Sequence, residues 1–217
     1  MKSNRMFLLW GAIFVMAGFA FMHFTRQVPK HEGGTVAATP ADPSLLERPH
    51  SPVKGAADAP VTIVEFLDPE CESCRAMHPI VKQLLAEYSG KVRLVIRYLP
   101  FHGNSRLAAA ALEEARAQGK FDQALDALFE RQPEWGDHAR PRPELIPEIL
   151  AKLGMDKAKL NADYLLAEHG AKVDLDHEDA KKLGVKYTPT FYVNRMALEQ
   201  IGYAPVKEAI DRALAAR

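Results

Sequence analysis

The chain carries a single pair of cysteines, and their place between a predicted strand and a predicted helix limits the fold more than any other feature. Val61–Leu67 is an apolar run rich in β-branched residues, which predicts a buried strand. Cys71 and Cys74 follow in the stretch DPECESCRAMHP, and Arg75–Tyr88 then repeats apolar residues at helical spacing. Residues 91–99 alternate apolar and polar side chains and predict a second strand. This order predicts a β-α-β unit with a right-handed crossover.

The rest of the chain adds a helical block and a second pair of strands. From about residue 104 to about residue 184 the pattern is helical with almost no strand signal, and Gly154 and Gly170 are expected to end helices. Strand character returns at Thr190–Asn194 and at Ala197–Tyr203, and an amphipathic helix closes the chain. We therefore expect an α/β fold made of β-α-β and β-β-α halves, with an all-helical insertion between them.

The N-terminus predicts a membrane anchor followed by a linker. A basic head, MKSNR, precedes Met6–Phe24, nineteen residues without a formal charge. At about 1.5 Å per residue this helix approaches the roughly 30 Å of a bilayer core. We expect an uncleaved signal anchor, a transmembrane helix, over residues 1–24, with a cleaved signal peptide as the alternative. Residues 25–49 predict a flexible linker, and residues 50–217 a single domain. The expected location is the inner, cytoplasmic membrane, crossed once, with the domain in the periplasm or outside the cell.

Charge and cysteine content exclude several classes of protein. The 28 Lys and Arg residues balance 28 Asp and Glu residues and form no basic cluster, so the sequence does not indicate a nucleic-acid binder. Two cysteines are too few for a small scaffold stabilised by disulfides. The pair therefore favours chemistry, while an inert local disulfide and a metal site that includes His78 remain open as alternatives.

A C-x-x-C motif at a strand-to-helix junction, within this order of elements, resembles the thioredoxin fold. The helical insertion resembles the DsbA-like branch of thiol–disulfide oxidoreductases. The likeness extends from about residue 50 to the C-terminus and is carried by VTIVEFLDPECESC, RYLP, AAAALEEARAQGKF, ALFERQ and GVKYTPTFYVN. In the last stretch, Thr188-Pro189 stands roughly 115 residues after Cys74, where this family has a cis-proline opposite its cysteines.

The position of the cysteines at a helix N-terminus predicts their roles. Free N–H groups and a partial positive charge favour a thiolate at Cys71 and lower its pKa, while Cys74 lies one turn inside the helix. We therefore expect Cys71 to exchange with substrates and Cys74 to resolve the mixed disulfide. Glu72 and Ser73 are expected to tune the redox potential. The negative charge of Glu72, partly offset by Arg75, predicts a milder oxidant than relatives with Pro-His in the motif.

Further site residues are assigned from the resemblance. Glu65 is expected to be a buried carboxyl of raised pKa that exchanges protons with the inner cysteine, with an exposed strand residue as the alternative. A cis bond before Pro189 would expose the Thr188 backbone for pairing with an extended substrate. Tyr187, where a glycine is common, would border the substrate groove. Arg195 also replaces a glycine, which predicts a hairpin loop longer than two residues.

The expected function is thiol–disulfide exchange on exported, cysteine-containing proteins, in the direction of disulfide formation. The resemblance implies a membrane partner that reoxidises or reduces the cysteine pair. No dissociable cofactor and no metal are expected, because the cysteines themselves carry the electrons. Two alternatives remain open: a disulfide reductase or isomerase of the same fold, and a non-enzymatic tethered module that binds thiols or a metal.

Overall fold

The structure is a computed structural model that describes residues 40–216. Its strands are β1 (Val53–Lys54), β2 (Val61–Leu67), β3 (Val92–Tyr98), β4 (Thr190–Val193) and β5 (Met196–Ala197). They form one mixed sheet in the order β1-β3-β2-β4-β5. The central strand β2 is parallel to β3 and antiparallel to β4, and both edge strands pair antiparallel.

Helices surround this sheet. They are α1 (Pro43–Leu46), α2 (Glu72–Glu87), α3 (Ser105–Ala117), α4 (Phe121–Glu130), α5 (Gln132–Trp135), α6 (Leu145–Ala151), α7 (Ala162–Lys182) and α8 (Tyr203–Ala215), with a 3-10 turn at Lys157–Lys159. Helix α2 connects the parallel strands β2 and β3, and α3 to α7 lie between β3 and β4 in the chain. This order confirms the predicted β-α-β and β-β-α halves with an all-helical insertion.

Both faces of the sheet are buried, because β2 and β3 send alternate side chains into two separate apolar clusters. Ile63 and Leu94 belong to the larger cluster, which includes residues of α2, α8 and the helical insertion. Val64 and Val95 belong to the smaller cluster, together with Leu46 of α1. The continuous apolar run of β2 follows from this burial on two sides.

A buried ion cluster fixes α7 to the sheet. The fully buried guanidinium of Arg97, on β3, donates hydrogen bonds of 2.8 Å to Asp176 and 2.8 Å to Asp179. Arg48 donates two more to Asp179, at 2.7 and 2.8 Å, and His50 is hydrogen-bonded to Asp176 at 2.8 Å. Although burial raises the pKa of Asp179, its hydrogen bonds with the two arginines hold it at about 2. Each buried charge therefore has oppositely charged partners, which offsets the cost of removing it from water.

The segment before β1 packs on the domain, which corrects the predicted linker of residues 25–49 over its described part. Asp42 caps α1 by accepting a 2.9 Å hydrogen bond from the Ser44 N–H. Leu46 is buried, and Arg48 joins the ion cluster. The composition of this segment is typical of a linker, but its partners on α7 are about 130 residues away in the sequence and leave no local pattern.

The turn between β4 and β5 contains two residues, so the longer loop expected from Arg195 is wrong. Asn194 has φ 44° and Arg195 has φ 75°, as in the two-residue turns with positive φ at both positions. Contacts outside the hairpin stabilise this conformation. Asn194 Oδ1 accepts a 2.9 Å hydrogen bond from Thr62 N–H, and Arg195 Nε donates one of 2.8 Å to Ala41 O. The Ala41 N–H in turn donates to Arg195 O at 2.9 Å.

Two predicted element boundaries are also wrong. Gly170 lies inside α7 instead of ending a helix, and it gives room to Arg106 of α3, whose Nη2 would be 2.6 Å from an added Cβ. Strand β5 ends at Ala197, short of the predicted Tyr203, and Tyr203 instead begins α8.

The predicted signal anchor over residues 1–24 lies outside the described residues. Between residues 40 and 216, no helix has both the length and the apolar character needed to cross a bilayer.

The ion cluster predicts a large loss of stability when one buried charge is removed. Asp179→Ala leaves the Arg97 and Arg48 guanidinium groups without one carboxylate, and we expect the free energy of unfolding to fall by about 3–5 kcal/mol. The matched control is Asp174→Ala on the same helix, because Asp174 makes two 2.7 Å hydrogen bonds to Arg106 but both side chains are about half exposed. That change should cost less than about 1 kcal/mol. Urea unfolding of the full-length protein measures both, and equal losses would contradict the prediction.

Candidate active site

Cys71 lies at the start of α2, just beyond the carboxyl end of the central strand β2. It is the N-cap residue of the helix, with an extended backbone at φ −77° and ψ 124°. The N–H groups of the first turn beyond it have no carbonyl partner within the helix. The residue is buried, with 8% of its surface exposed. The junction of strand and helix therefore places this sulfur at the positive end of α2.

The pKa of the Cys71 thiol is lowered to about 5. The largest cause is a hydrogen bond with the Cys74 thiol, and burial opposes it. A hydrogen bond with the Thr188 side chain and the backbone N–H groups of Cys74 and Ser73 add to the lowering. Because hydrogen bonds to an anion favour the ionised form, Cys71 is a thiolate at neutral pH in the reduced protein.

Cys74 has the opposite character. It is fully buried on the first turn of α2, and the Asp68 N–H donates to its Sγ at 3.4 Å. Burial, then the hydrogen bond with Cys71 and the charge of Glu65, raise the pKa of Cys74 well above its ordinary value. The reduced site therefore holds an ionised outer sulfur and a protonated inner one.

The segment before β4 lies against Cys71. The Thr188–Pro189 peptide bond is cis, which confirms that prediction. Cys71 Sγ lies 3.4 Å from the Thr188 carbonyl oxygen, to which its thiol form donates. Tyr187 is 57% exposed beside this segment, and its carbonyl accepts a 2.8 Å hydrogen bond from Thr190 Oγ1. The fold thus brings Cys71 and the Thr-Pro segment together across more than a hundred residues of sequence.

Glu65 lies in the middle of β2 and is buried, not exposed on a strand. Burial raises its pKa to about 8, and the charge of Lys54 opposes this. Among the residues that the structure describes, none donates a hydrogen bond to Glu65 Oε1. The carboxyl is therefore mostly protonated at neutral pH, and it is close enough to Cys74 to raise the pKa of that thiol when ionised.

Glu72 and Ser73, the residues between the cysteines, are exposed. Glu72 Oε1 lies 3.0 Å from Nε2 of His138, which is in the loop after α5. The backbone N–H of Glu72 and the charge of His138 lower the pKa of the Glu72 carboxyl. This carboxylate is therefore paired with an imidazole of the insertion. The expected effect of Glu72 and Ser73 on the redox potential stays a prediction.

Asp68 is a central residue of the site that sequence reasoning missed. It is fully buried, and its carboxylate accepts hydrogen bonds from Glu70 N–H at 2.8 Å, from Phe101 N–H at 2.9 Å and from His102 Nδ1 at 2.7 Å. Its carbonyl accepts a 3.1 Å hydrogen bond from the Cys71 N–H. An acidic residue between a buried strand and the cysteine motif is the only sequence signal for this position.

Gln132 of α5 is the second residue that was missed. It is buried, and its Nε2 donates to the Pro69 carbonyl at 2.9 Å and to the Cys71 carbonyl at 3.0 Å. The helical insertion therefore holds the turn that carries the outer cysteine. No sequence pattern marks this residue, because its partners lie about 60 residues earlier in the chain.

His78 does not join the cysteines. Its Nε2 is hydrogen-bonded to Asp126 of α4, and its ring packs on Phe129 with 5.0 Å between the ring centroids. Over the described part of the chain, no group of three or more His, Cys, Asp or Glu side chains is arranged to hold a metal ion. The geometry therefore gives no support to the metal site that includes His78.

Residues 47–212 match the sequence profile of the family described as thioredoxin. The chain belongs to the thioredoxin family. Disulfide bond formation protein D of Bacillus subtilis is 33% identical to it over 180 residues, covering 75% of this chain and 77% of that protein. The crystal structure of oxidised BdbD from Bacillus subtilis matches with a TM-score of 0.71 and 31% identity, covering 82% of this chain and 98% of that one. The resemblance to DsbA-like thioredoxin-fold oxidoreductases is confirmed.

The chain is also similar to part of a larger protein. The Na⁺/H⁺ antiporter NhaA of Herminiimonas arsenicoxydans is 36% identical over 155 residues, which covers 70% of this chain. The chain spans about a quarter of the length of that antiporter.

The contrast between the two thiols of this thioredoxin-family site predicts selective alkylation. Only a thiolate reacts with iodoacetamide, so modification of Cys71 in the reduced full-length protein should rise with pH around a midpoint of about 5. The Cys71→Ser variant, in which only Cys74 can react, should stay unmodified at neutral pH because the pKa of Cys74 is raised. Mass spectrometry of quenched samples measures both rates. A Cys71 midpoint near that of an ordinary cysteine, about 8.5, would contradict the assignment.

The buried Glu65 predicts a pH-dependent cost in stability. The pKa of Glu65 is raised from about 4.5 to about 8 in the folded protein. The stability that its neutral carboxyl contributes is therefore fully present below pH 4.5, and it is lost as the pH rises to 8. Glu65→Gln mimics the neutral form, so it should match the wild type at pH 4 and be more stable by a few kcal/mol at pH 8. Urea unfolding at the two pH values measures this difference.

The control for Glu65→Gln is the same change at Glu208, whose side chain is 70% exposed on α8. Glu208→Gln should differ little from the wild type at either pH. A Glu65→Gln difference that is the same at pH 4 and pH 8 would argue against a raised pKa.

Proposed function

We propose that this protein catalyses thiol–disulfide exchange on exported proteins through Cys71 and Cys74, in the direction of disulfide formation. The observation that carries the proposal is the contrast between the two sulfurs. Cys71 lies at the N-terminus of α2 and has a pKa of about 5, whereas Cys74 is buried and has a raised pKa. A pKa this low stabilises the reduced form of the pair, which makes the disulfide form a better oxidant. This supports oxidation over reduction.

The exchange has two steps. A substrate thiolate attacks Cys71 Sγ of the Cys71–Cys74 disulfide, a substrate–Cys71 disulfide forms, and Cys74 leaves as a thiolate that takes up a proton. A second substrate thiolate then attacks the substrate sulfur of this mixed disulfide and expels Cys71 as a thiolate, whose low pKa makes it a good leaving group. The substrate loses two electrons and gains a disulfide, and the protein gains two electrons and becomes a dithiol.

Glu65 is proposed to supply the proton for Cys74. Its carboxyl is mostly protonated at neutral pH, since its pKa is about 8, and it lies beneath the cysteines on β2. A leaving Cys74 thiolate in this buried place is costly until it is protonated. In the reverse direction, the Glu65 carboxylate would take the proton back as Cys74 attacks.

The Thr188–Pro189 segment is proposed to hold the substrate. The Thr188 carbonyl lies 3.4 Å from Cys71 Sγ, so a peptide that pairs with this backbone as an added strand would bring its cysteine to the reacting sulfur. Tyr187, 57% exposed next to this segment, would contact the substrate side chains. Pro189, which is buried, has no N–H to compete for the pairing.

The cellular setting is proposed from the sequence and the relatives. Met6–Phe24 supports a single membrane anchor, which would keep the domain at the outer face of the cytoplasmic membrane, in the periplasm or outside the cell. The name of the Bacillus subtilis relative, disulfide bond formation protein D, supports the oxidising direction. A membrane partner that reoxidises the cysteine pair completes the cycle, because each substrate disulfide leaves the pair reduced.

Trapping tests the exchange directly. In Cys74→Ala, the Cys71 thiolate attacks a substrate disulfide, which is the reverse of the second step above, and no inner thiol is left to release the product. The full-length variant should therefore accumulate substrates joined through Cys71 on non-reducing gels. Cys71→Ala, the matched control, should accumulate none because the attacking sulfur is absent. A folded Cys74→Ala protein that traps nothing would favour a tethered binding module over an enzyme.

The resting redox state tests the direction. An oxidase should rest mostly as the Cys71–Cys74 disulfide in cells, and alkylation of free thiols in freshly quenched cells measures this fraction. A protein found mostly as dithiol, with Cys74→Ala still trapping substrates, would instead favour the reductase or isomerase alternative.

A further inference from the structure

Two histidines from different parts of the helical region meet beside the cysteine motif. His102 lies in the loop after β3 and His138 in the loop after α5, and their rings pack with 5.0 Å between centroids and 30° between planes. Each is hydrogen-bonded to a carboxylate that flanks Cys71: His102 to Asp68, and His138 to Glu72. The sequence shows no relation between the two histidines, which stand 36 residues apart.

Asp68 connects His102 to both cysteines, through the backbone N–H of Cys71 and the sulfur of Cys74. Its carboxylate accepts the 2.7 Å hydrogen bond from His102 Nδ1, its carbonyl accepts from the Cys71 N–H at 3.1 Å, and its N–H donates to Cys74 Sγ at 3.4 Å. Because Asp68 is fully buried and also accepts from the Phe101 N–H, it holds the His102 imidazole in one position next to the turn that carries Cys71. Because Asp68 is hydrogen-bonded to Nδ1, the Nε2 atom of His102 makes no hydrogen bond with Asp68.

The charges that face His102 favour its protonated form. They come from Asp68 and Glu70 in the turn before α2 and from Cys71 at its start, while the His138 ring covers it from the insertion. Burial is the largest single influence on the pKa of His102 and lowers it, but the hydrogen bond and charge of Asp68, and the charges of Cys71 and Glu70, raise it to a net value above that of an ordinary histidine. At pH 5, where Cys71 titrates, His102 is therefore a cation.

We propose that His102, held by Asp68, is a positioning residue that stabilises the Cys71 thiolate with its positive charge. The two residues between the cysteines, Glu72 and Ser73, carry no positive charge. His102 supplies a cation from the loop after β3 instead. His138 assists by pairing with the Glu72 carboxylate at 3.0 Å, which draws that negative charge toward the insertion. This inference rests on the proposed role of Cys71 as the exchanging thiol.

The proposal predicts the effect of two changes at one position. In the reduced full-length protein, purified in detergent, His102→Gln keeps an N–H donor for Asp68 but removes the charge, and it should raise the pKa of Cys71 by about one unit. His102→Lys keeps a charge without the ring and should leave this pKa within a few tenths of a unit of the wild type. The readout is the thiolate absorbance of the reduced two-cysteine protein as a function of pH, in which Cys71 titrates far below Cys74.

The matched control is His177→Gln. His177 is a partly exposed histidine of α7 whose ring packs on Phe101, 6.2 Å between centroids, and Asp68 makes no hydrogen bond with it. This change should leave the pKa of Cys71 unaltered. In glutathione buffers, His102→Gln in the two-cysteine protein should shift the equilibrium toward the disulfide by up to about tenfold, because the reduced form loses thiolate stabilisation.

The wild type alone gives a second test that needs no variant to fold. Linkage requires that, if the imidazolium lowers the pKa of Cys71, the thiolate raises the pKa of His102 by the same amount. Imidazole resonances of the labelled protein should therefore show a higher pKa for His102 in the dithiol than in the disulfide form, and an unchanged pKa for His177.

The outcomes separate this inference from the proposed function. A Cys71 pKa that is low in the wild type and equally low in His102→Gln, or a His102 pKa that is the same in both redox states, would overturn the role of His102 and leave the exchange reaction intact. An ordinary Cys71 pKa in the wild type would overturn the proposed function and the role of His102 with it.

Discussion

Negative charge on the Cys71 sulfur is the constraint around which the site is arranged. A mostly buried thiolate loses hydration, so the protein must supply the stabilising contacts that water would otherwise make. The start of α2 provides backbone N–H groups, and Cys74 and Thr188 provide hydrogen bonds. Nearby carboxyl groups would oppose the charge if they were left ionised and unpaired. Glu65 avoids this by its raised pKa, and Asp68 by the three N–H donors that surround it.

The helical insertion contributes to the chemistry as well as to the size of the domain. Gln132 of α5 holds the carbonyl groups of Pro69 and Cys71, and His138 in the next loop binds Glu72. These contacts fix the turn and the first residue of α2, so the position of the outer sulfur depends on the insertion. The insertion is in turn fixed to the sheet through α7 by the Arg97 ion cluster.

Sequence patterns predicted the parts of this structure that depend on local order. The apolar run of β2 and the helical spacing after the cysteines each have a signal within a few residues. The cis bond at Thr188–Pro189 and its place opposite the cysteines were instead assigned from the family resemblance. Contacts between distant segments had no such signal. Arg97 sits in an alternating strand, where it reads as an exposed residue, because its carboxylate partners stand about 80 residues later on α7. Asp68 and Gln132 were missed for the same reason, and the positive φ of Arg195 depends on a contact with Ala41.

The contact between Ala41 and Arg195 also sets where the segment before α1 joins the sheet. Arg195 lies in the turn beside Thr62, near the beginning of β2, whereas Cys71 follows the other end of that strand. Seven residues of strand span about 20 Å, so the chain enters the domain at the end of the sheet remote from the reactive sulfur. The Ala41 contact and the Cys71 sulfur therefore lie at opposite ends of the central strand.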